Sequence, residues 1–220
     1  MSLSRDPAFS LLQSRFVCGW RNIANEPWAG RSGVHEIGNP AVYTTNGAGP
    51  HNIQMFVLNP DGTVLHVLPG YWDPRDLAVE LQFAEQLNRV WTDPNLTRAA
   101  KDRRFHDMQI QHIFRHGQQL VDRSVMQKFD EQFELRWRPD TSDTILRPTS
   151  LQPAFRPPQR PREPGVFKTT DQIVHERMAA RPFIPYEKFD TAAFVDYGRP
   201  KYDKRGDGDE GHSHALAPGR

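Results

Sequence analysis

The sequence predicts an α/β fold that is built around a β-hairpin and the helix behind it. Two apolar runs, residues 53–58 and 63–68, are rich in β-formers and too short to be helices. The turn Asn59-Pro60-Asp61-Gly62 separates them, since Pro60 presets its own φ and Gly62 accepts a positive φ. Residues 52–70 are therefore expected to form a hairpin.

The helix after the hairpin is predicted over residues 73–91. Asp73 and Pro74 have the residue types of an N-cap and a first helical position. Apolar side chains then recur at three- and four-residue steps, at Leu77, Leu81, Ala84 and Leu87. One face of this helix should pack on the sheet.

The N-terminal part is predicted to contain a helix over residues 7–25, capped by Asp6 and carrying Cys18. Gly19 weakens that helix, so a break or a new helix start at Cys18 is an alternative. Residues 26–51 are rich in glycine and proline, which predicts a long loop with at most a short strand at 41–45.

The C-terminal half is predicted to be helical first and extended afterwards. Residues 95–116 and 118–135 carry helical apolar stripes, with a bend or division at Gly117. Residues 138–165 hold many prolines and arginines, which predicts an extended strap. A short helix is predicted over residues 172–180, capped by Thr170 or Asp171.

Five aromatic residues follow that helix and should anchor the tail on its own core or on a second subunit: Phe183, Tyr186, Phe189, Phe194 and Tyr197. The predicted organisation is a folded domain over 7–91, a helical extension over 92–137, the strap with its helix and anchors over 138–202, and a disordered tail over 203–220.

Composition excludes several classes of protein. Lysine and arginine number 28 against 27 acidic residues, so no net field favours nucleic acid. No run approaches the roughly 20 apolar residues of a membrane span, and residues 1–10 lack the pattern of a signal peptide. The one cysteine excludes an internal disulfide, and the expectation is a soluble, cytoplasmic protein.

Residues 53–87 resemble the C-terminal β-β-α half of the thioredoxin fold, through the hairpin turn, the Leu68-Pro69-Gly70-Tyr71 strand end and the following helix. The stretch Phe16-Val17-Cys18-Gly19-Trp20-Arg21 is similar to that family's Cys-Gly-x-Cys redox site. The resemblance covers residues 12–90 and implies a thioredoxin-like domain with a shortened N-terminal half. Arg21 stands where the family has its second cysteine, and Gln54 stands where it has a cis-proline.

The resemblance implies a monothiol oxidoreductase that acts on a thiol or disulfide, which could belong to a protein, without a cofactor. Cys18 would be the nucleophile, and Gln54 would lie in the substrate-facing loop. A helix N-terminus together with Arg15 and Arg21 would favour the thiolate. Alternatively Cys18 is a small buried hydrophobe, and the chain is a redox-inactive scaffold that binds a partner or forms a homo-oligomer through its C-terminal segment.

Two histidines on the predicted 95–116 helix have the spacing of metal ligands. His112 and His116 are four residues apart and share a helix face, and Asp107 or Asp122 could add an oxygen ligand. The glutamate of the zinc-protease signature is missing, since Ile113 follows His112. A solvated or core-edge histidine pair is the commoner meaning of such a spacing, and it applies equally to the neighbouring His106.

Other polar residues carry weaker signals. His35 or His51 in the glycine-rich loop could serve as a base toward Cys18, although ordinary loop polarity explains them as well. The residues 47–50 lack the Lys-Ser/Thr of a phosphate loop. Arginines of the strap could bind an acidic partner, and two tail histidines could bind metal loosely; these are Arg147, Arg156, Arg160, Arg162, His212 and His214.

Overall fold

The computed structural model describes residues 2–30, 45–146 and 167–197. These parts of the chain form a mixed α/β structure with two strands and seven α-helices. In chain order the elements are α1 (Ala8–Arg15), β1 (Gln54–Leu58), β2 (Val64–Pro69), α2 (Pro74–Thr92), α3 (Arg98–Ile113), α4 (Gln118–Arg123), α5 (Lys128–Trp137), α6 (Thr170–Ala179) and α7 (Thr191–Phe194). Short 3-10 turns occur at Ser2–Ser4 and Tyr186–Lys188.

The predicted hairpin is confirmed. Strands β1 and β2 pair antiparallel, from Gln54 opposite Pro69 to Leu58 opposite Val64, with an irregularity between Val57 and Leu58. Gly62 adopts a φ of 85° in the turn, which explains why a glycine occupies that position. Every residue of β2 is buried, because both α2 and α6 contact this strand.

The predicted second helix is also confirmed, and its start has the expected chemistry. The carboxylate of Asp73 accepts a hydrogen bond from the backbone N–H of Arg75 at 2.9 Å, and Pro74 is the first helical residue. The apolar stripe that was predicted is buried, at Leu77, Leu81, Ala84 and Leu87. The same helix also buries Glu80 completely, which the pattern did not predict.

The aromatic tail packs on the core of its own chain. The Phe183 ring lies 4.7 Å from that of Phe105, and the Phe56 ring lies 4.9 Å from Tyr186 and 5.5 Å from Phe189. The backbone N–H of Val64 also donates to the Ile184 carbonyl at 2.9 Å. The sequence left open whether the tail packs on its own core or on a second subunit. The aromatic residues named above pack on the core of their own chain.

The predicted helix over 7–25 is wrong in its extent. Helix α1 ends at Arg15, Phe16 has an extended φ of −126° and ψ of 145°, and the chain from Phe16 to Ile23 is irregular. Only Ala8 of α1 is buried, so little packing supports a longer helix. Cys18 therefore lies beyond the C-terminal end of a helix.

The predicted 118–135 helix is two helices. It is separated from α3 near Gly117 as expected, but α4 then ends at Arg123. The carbonyl oxygens of Arg123 and Ser124 accept hydrogen bonds from Asn46 (2.7 Å) and Thr170 (2.6 Å), so tertiary partners occupy acceptors that a continuing helix would use. The predicted short strand at 41–45 (apart from residue 45), most of the strap and the C-terminal tail lie outside the described residues.

Within the described ranges, no helix combines the length and the apolar character that a membrane span requires.

Candidate metal centre

The carboxylate of Glu80 lies at the centre of a buried cluster of imidazoles. Its Oε1 is 3.2 Å from Nε2 of His112 and 3.0 Å from Nε2 of His116. Its Oε2 is 3.0 Å from Nε2 of His66 and 3.4 Å from Nε2 of His175. The five side chains come from β2, α2, α3, the turn after α3, and α6.

Local structure explains how each side chain reaches the centre. Glu80 lies three residues after Leu77 and four before Ala84, so it shares the buried face of α2. His66 faces inward from the fully buried β2, and His175 faces inward from α6, which packs on α3. Four of the five side chains therefore lie on packed helices or on the strand, and His116 alone among them comes from a turn.

The predicted histidine pair lies in the cluster, although not on one regular helix. His112 is in the last turn of α3, which ends at Ile113, and His116 lies in the turn that precedes α4. Their rings are still only 4.5 Å apart. The predicted oxygen donors are elsewhere: Asp107 contacts the exposed His106 at 3.1 Å, and Asp122 accepts from Gln118 at 2.8 Å.

Four of these side chains offer ligand atoms that converge on one point. One atom each from Glu80, His112, His116 and His175 lie within 4.8 Å of one another. Ligands held about 2.0–2.2 Å from a tetrahedral zinc ion lie roughly 3.4 Å apart. Nε2 of His112 and His116 lie 3.2 and 3.0 Å from Oε1 of Glu80, and Nε2 of His175 lies 3.4 Å from Oε2, distances close to this spacing.

Two of the rings are oriented by partners on their far side. Nδ1 of His116 lies 2.8 Å from Oδ2 of Asp171, and Nδ1 of His175 lies 2.6 Å from Oε1 of Gln109. Asp171 and Gln109 accept hydrogen bonds from these Nδ1 atoms, which turns each Nε2 toward the centre, where it can serve as a metal ligand in the neutral ring. Metal-binding histidines have this arrangement, in which a carboxylate or carbonyl fixes the tautomer.

The charges of the cluster follow from burial and from these contacts. Burial alone would raise the pKa of Glu80, but hydrogen bonds from His112 and His116 hold this pKa well below its usual value. For His116, burial opposes protonation, yet Asp171 and Glu80 outweigh it and raise the pKa to about 9. Burial lowers the pKa of His175 to about 4 and also lowers that of His66, so both stay neutral.

Phe83 forms an apolar wall of the cluster. Its ring stacks on His112 at 3.9 Å and meets the edges or faces of His66 and His175 at 5.6 Å. An apolar wall limits access of water and strengthens electrostatic interactions inside.

One side of the cluster faces a pocket of about 370 Å³. Its lining residues are Arg75, Asp76, Val79, Gln86, His112, Arg115, His116, Gly117, Gln119, Leu120 and Arg123. The side chain of His112 is 10% exposed, whereas those of Glu80 and His175 are fully buried. Access to the cluster from outside is therefore along His112.

The predicted thiol site follows the C-terminal end of α1 and does not begin a helix. Cys18 is exposed in the irregular segment after α1, so the expected support from a helix dipole is wrong, and so is the alternative of a buried thiol. Arg15 pairs with Glu85 at 3.0 Å, and Arg21 pairs with Glu26.

Gln54 is the first residue of β1, and both polar atoms of its side chain are buried without a hydrogen-bond partner among the described residues. His51 is buried between the carbonyls of Trp28 (3.1 Å) and Tyr197 (3.3 Å), and burial lowers its pKa. Its role is therefore structural. Residues 35, 147, 156, 160, 162, 212 and 214, the remaining histidine and arginine candidates, lie outside the described ranges.

The sequence patterns did not single out most of the cluster. Glu80 interrupts the buried face of α2, and His66 interrupts an apolar strand between Leu65 and Val67. A charged or titratable residue at a position that the apolar pattern predicts to be buried was the signal that could have identified these two members of the cluster. His175 and its neighbours on α6 carried no comparable signal, because α6 buries nearly all of its faces.

No protein-family model, no curated protein and no solved structure matches this chain, so the geometry of the cluster is the basis for its functional assignment.

Proposed function

We propose that this chain is a metalloprotein that binds one divalent transition-metal ion through His112, His116, His175 and Glu80. The observation that carries this proposal is the convergence of three Nε2 atoms on one buried carboxylate, with two of the rings fixed through Nδ1. Three imidazole nitrogens and one carboxylate oxygen suit zinc and its first-row neighbours. Calcium and magnesium prefer ligand sets made of oxygen alone.

The contact between His175 and Glu80 favours a cation over a cluster held by hydrogen bonds alone. Nε2 of His175 is buried, has no hydrogen-bond partner among the described residues, and lies 3.4 Å from a Glu80 oxygen. With the proton on Nδ1, two lone pairs face each other in a dry site, which costs free energy. A metal ion between them removes that cost because it accepts both lone pairs.

The role that this geometry supports is a cross-link. The ligands join α2 to the end of α3 and to α6, and α6 follows residues 147–166, which lie outside the described ranges. Four protein ligands complete a tetrahedral set, which is typical of structural sites. Binding would therefore stabilise the packing of the C-terminal segment on the hairpin and α2.

The test is the metal content of protein that is purified without a histidine tag, combined with two alanine variants. We expect about one ion per chain, and we expect His112→Ala to reduce zinc affinity by at least tenfold. His106→Ala is the matched control, because His106 lies exposed on the same helix, pairs with Asp107 and is not part of the cluster. Equal zinc affinity in both variants would rule out the proposed centre.

Exposure of Cys18 favours a second candidate function, single-thiol chemistry with another molecule. Val17 and Trp20 beside it are also exposed, so a partner could reach the thiol. The measurement is the rate of alkylation against pH, and a thiol pKa near or above about 8.5 would contradict activation. If Cys18→Ser leaves binding of a thiol-containing partner unchanged, the segment acts as a scaffold without redox chemistry.

A further inference from the structure

We infer that the pocket beside His112 binds a small oxyanion, a phosphate or carboxylate group, next to the metal centre. This inference rests on the proposed function, because His112 and His116 form part of the pocket wall. The volume of about 370 Å³ is large enough for a small metabolite and is at the lower end of ligand-binding pockets.

The lining has an excess of positive charge. Three guanidinium groups and one carboxylate line the pocket, those of Arg75, Arg115, Arg123 and Asp76. Arg123 and Asp76 satisfy each other through two contacts of 2.6 and 2.7 Å. The pocket is therefore left with the charges of Arg75 and Arg115.

These two arginines are available to a ligand to different degrees. Arg75 contacts the Asp73 carboxylate at 3.4 Å and is mostly exposed, so that this interaction is weak. Arg115 is exposed, and its guanidinium makes no hydrogen bond or ion pair with any residue that the structure describes. An arginine binds phosphate and carboxylate groups through paired, charge-assisted hydrogen bonds.

The metal ion makes the inner wall compatible with an anion. Glu80 and Asp171 place two negative charges behind His112 and His116, and an ion of charge +2 balances them. The amide side chains of Gln86 and Gln119 provide further donors around the pocket.

The experiment measures binding of inorganic phosphate and of acetate to the zinc-loaded full chain by calorimetry at fixed ionic strength. We expect Arg115→Gln to weaken binding of the preferred anion about tenfold or more, because a charged donor is lost. Arg75→Gln is a second test of the same pocket. Arg104→Gln is the matched control, since this exposed arginine lies on α3 and is not among the lining residues.

The outcomes separate this inference from the metal proposal. Weaker binding in the Arg115 and Arg75 variants but not in the Arg104 variant supports the pocket, and the tighter of the two anions identifies the ligand class. Equal binding in all variants, or no anion binding by zinc-loaded protein, overturns the inference. A chain that takes up no zinc before any anion is added overturns the metal centre instead.

Discussion

Asp171 and His116 form a contact that connects two distant parts of the chain. Oδ2 of Asp171, in the first turn of α6, lies 2.8 Å from Nδ1 of His116, and Nε2 of the same ring lies 3.0 Å from Glu80. Through this imidazole, α6 and α2 are joined across the turn that follows α3. Asp171 thus controls the tautomer, the orientation and the basicity of a proposed ligand without touching the ion.

Replacing Asp171 by asparagine should therefore weaken metal binding while the fold is retained. We expect a 10- to 100-fold loss of zinc affinity, the usual effect of removing a partner behind a histidine ligand. Competition with a chromophoric chelator measures this. Asp143→Asn is the control. Asp143 pairs with Arg177, which lies on α6 like Asp171, but Asp143 is not part of the cluster. Equal affinity in both variants would contradict the role of Asp171.

Metal binding should release a proton from His116. The metal-free ring has a pKa of about 9 and is protonated at about pH 7, whereas a ligand must present a free Nε2. Zinc affinity should therefore rise with pH, by up to tenfold per unit from this residue, and this increase should end near pH 9. Calorimetry in buffers of different ionisation enthalpy should detect close to one released proton from His116 at about pH 7.

Asp171→Asn provides the control for that measurement. Burial lowers the pKa of His116, and Asp171 is one of the two carboxylates that oppose this effect. Removing its charge should reduce both the pKa and the number of protons released at about pH 7. Proton release that does not change in this variant would show that the protons come from other groups.

A bound ion should raise the thermal stability of the protein, and Glu80 should be required for this effect. At a free zinc concentration of 100 times the dissociation constant, binding stabilises the folded state by about 2.7 kcal/mol. In a chain of this size that corresponds to an increase in Tm of roughly 5–11 °C. A chelator should reverse it.

Glu80→Gln keeps the shape of the side chain and should abolish the increase. Glu85→Gln is the matched control on α2, because Glu85 pairs with Arg15 at the surface. Zinc that raises Tm equally in the two variants would place the ion elsewhere.

The parts of the fold that the sequence predicted depend on neighbouring residues. The hairpin turn is specified by Pro60 and Gly62, and the start of α2 by Asp73 and Pro74, so both follow from local preferences. The 7–25 helix was predicted too long, because Phe16 packs on the core from an extended conformation and the exposed Val17 and Trp20 give a longer helix no packing support.

The cluster depends instead on tertiary packing. Its proposed ligands lie at positions 80, 112, 116 and 175, and no local pattern specifies that α2, α3 and α6 meet. The spacing of His112 and His116 was the signal that the sequence analysis used, and it identified two ligands without their partners. Glu80 was concealed because the helical stripe was defined by its apolar members alone.

The aromatic tail should be part of the cooperative fold, and Phe183 tests this. Its side chain is fully buried against Phe105 and Trp91, with ring distances of 4.7 and 4.9 Å. It also holds a positive φ of 48°, a conformation that a bulky residue keeps only when packing compensates the strain. We expect Phe183→Ala to lower the free energy of unfolding by about 3–5 kcal/mol, measured by urea denaturation.

Phe114→Ala removes a ring of the same size from the surface, since Phe114 is 53% exposed, and should change stability by less than about 0.5 kcal/mol. Because Phe183 follows α6 closely, the tail and the metal ligand His175 should unfold together in a single transition. Denaturation of Phe183→Ala with and without zinc checks this, since an ion that binds only the folded state must shift the same midpoint. A zinc-independent midpoint in a variant that still binds zinc would show that the tail unfolds separately from the centre.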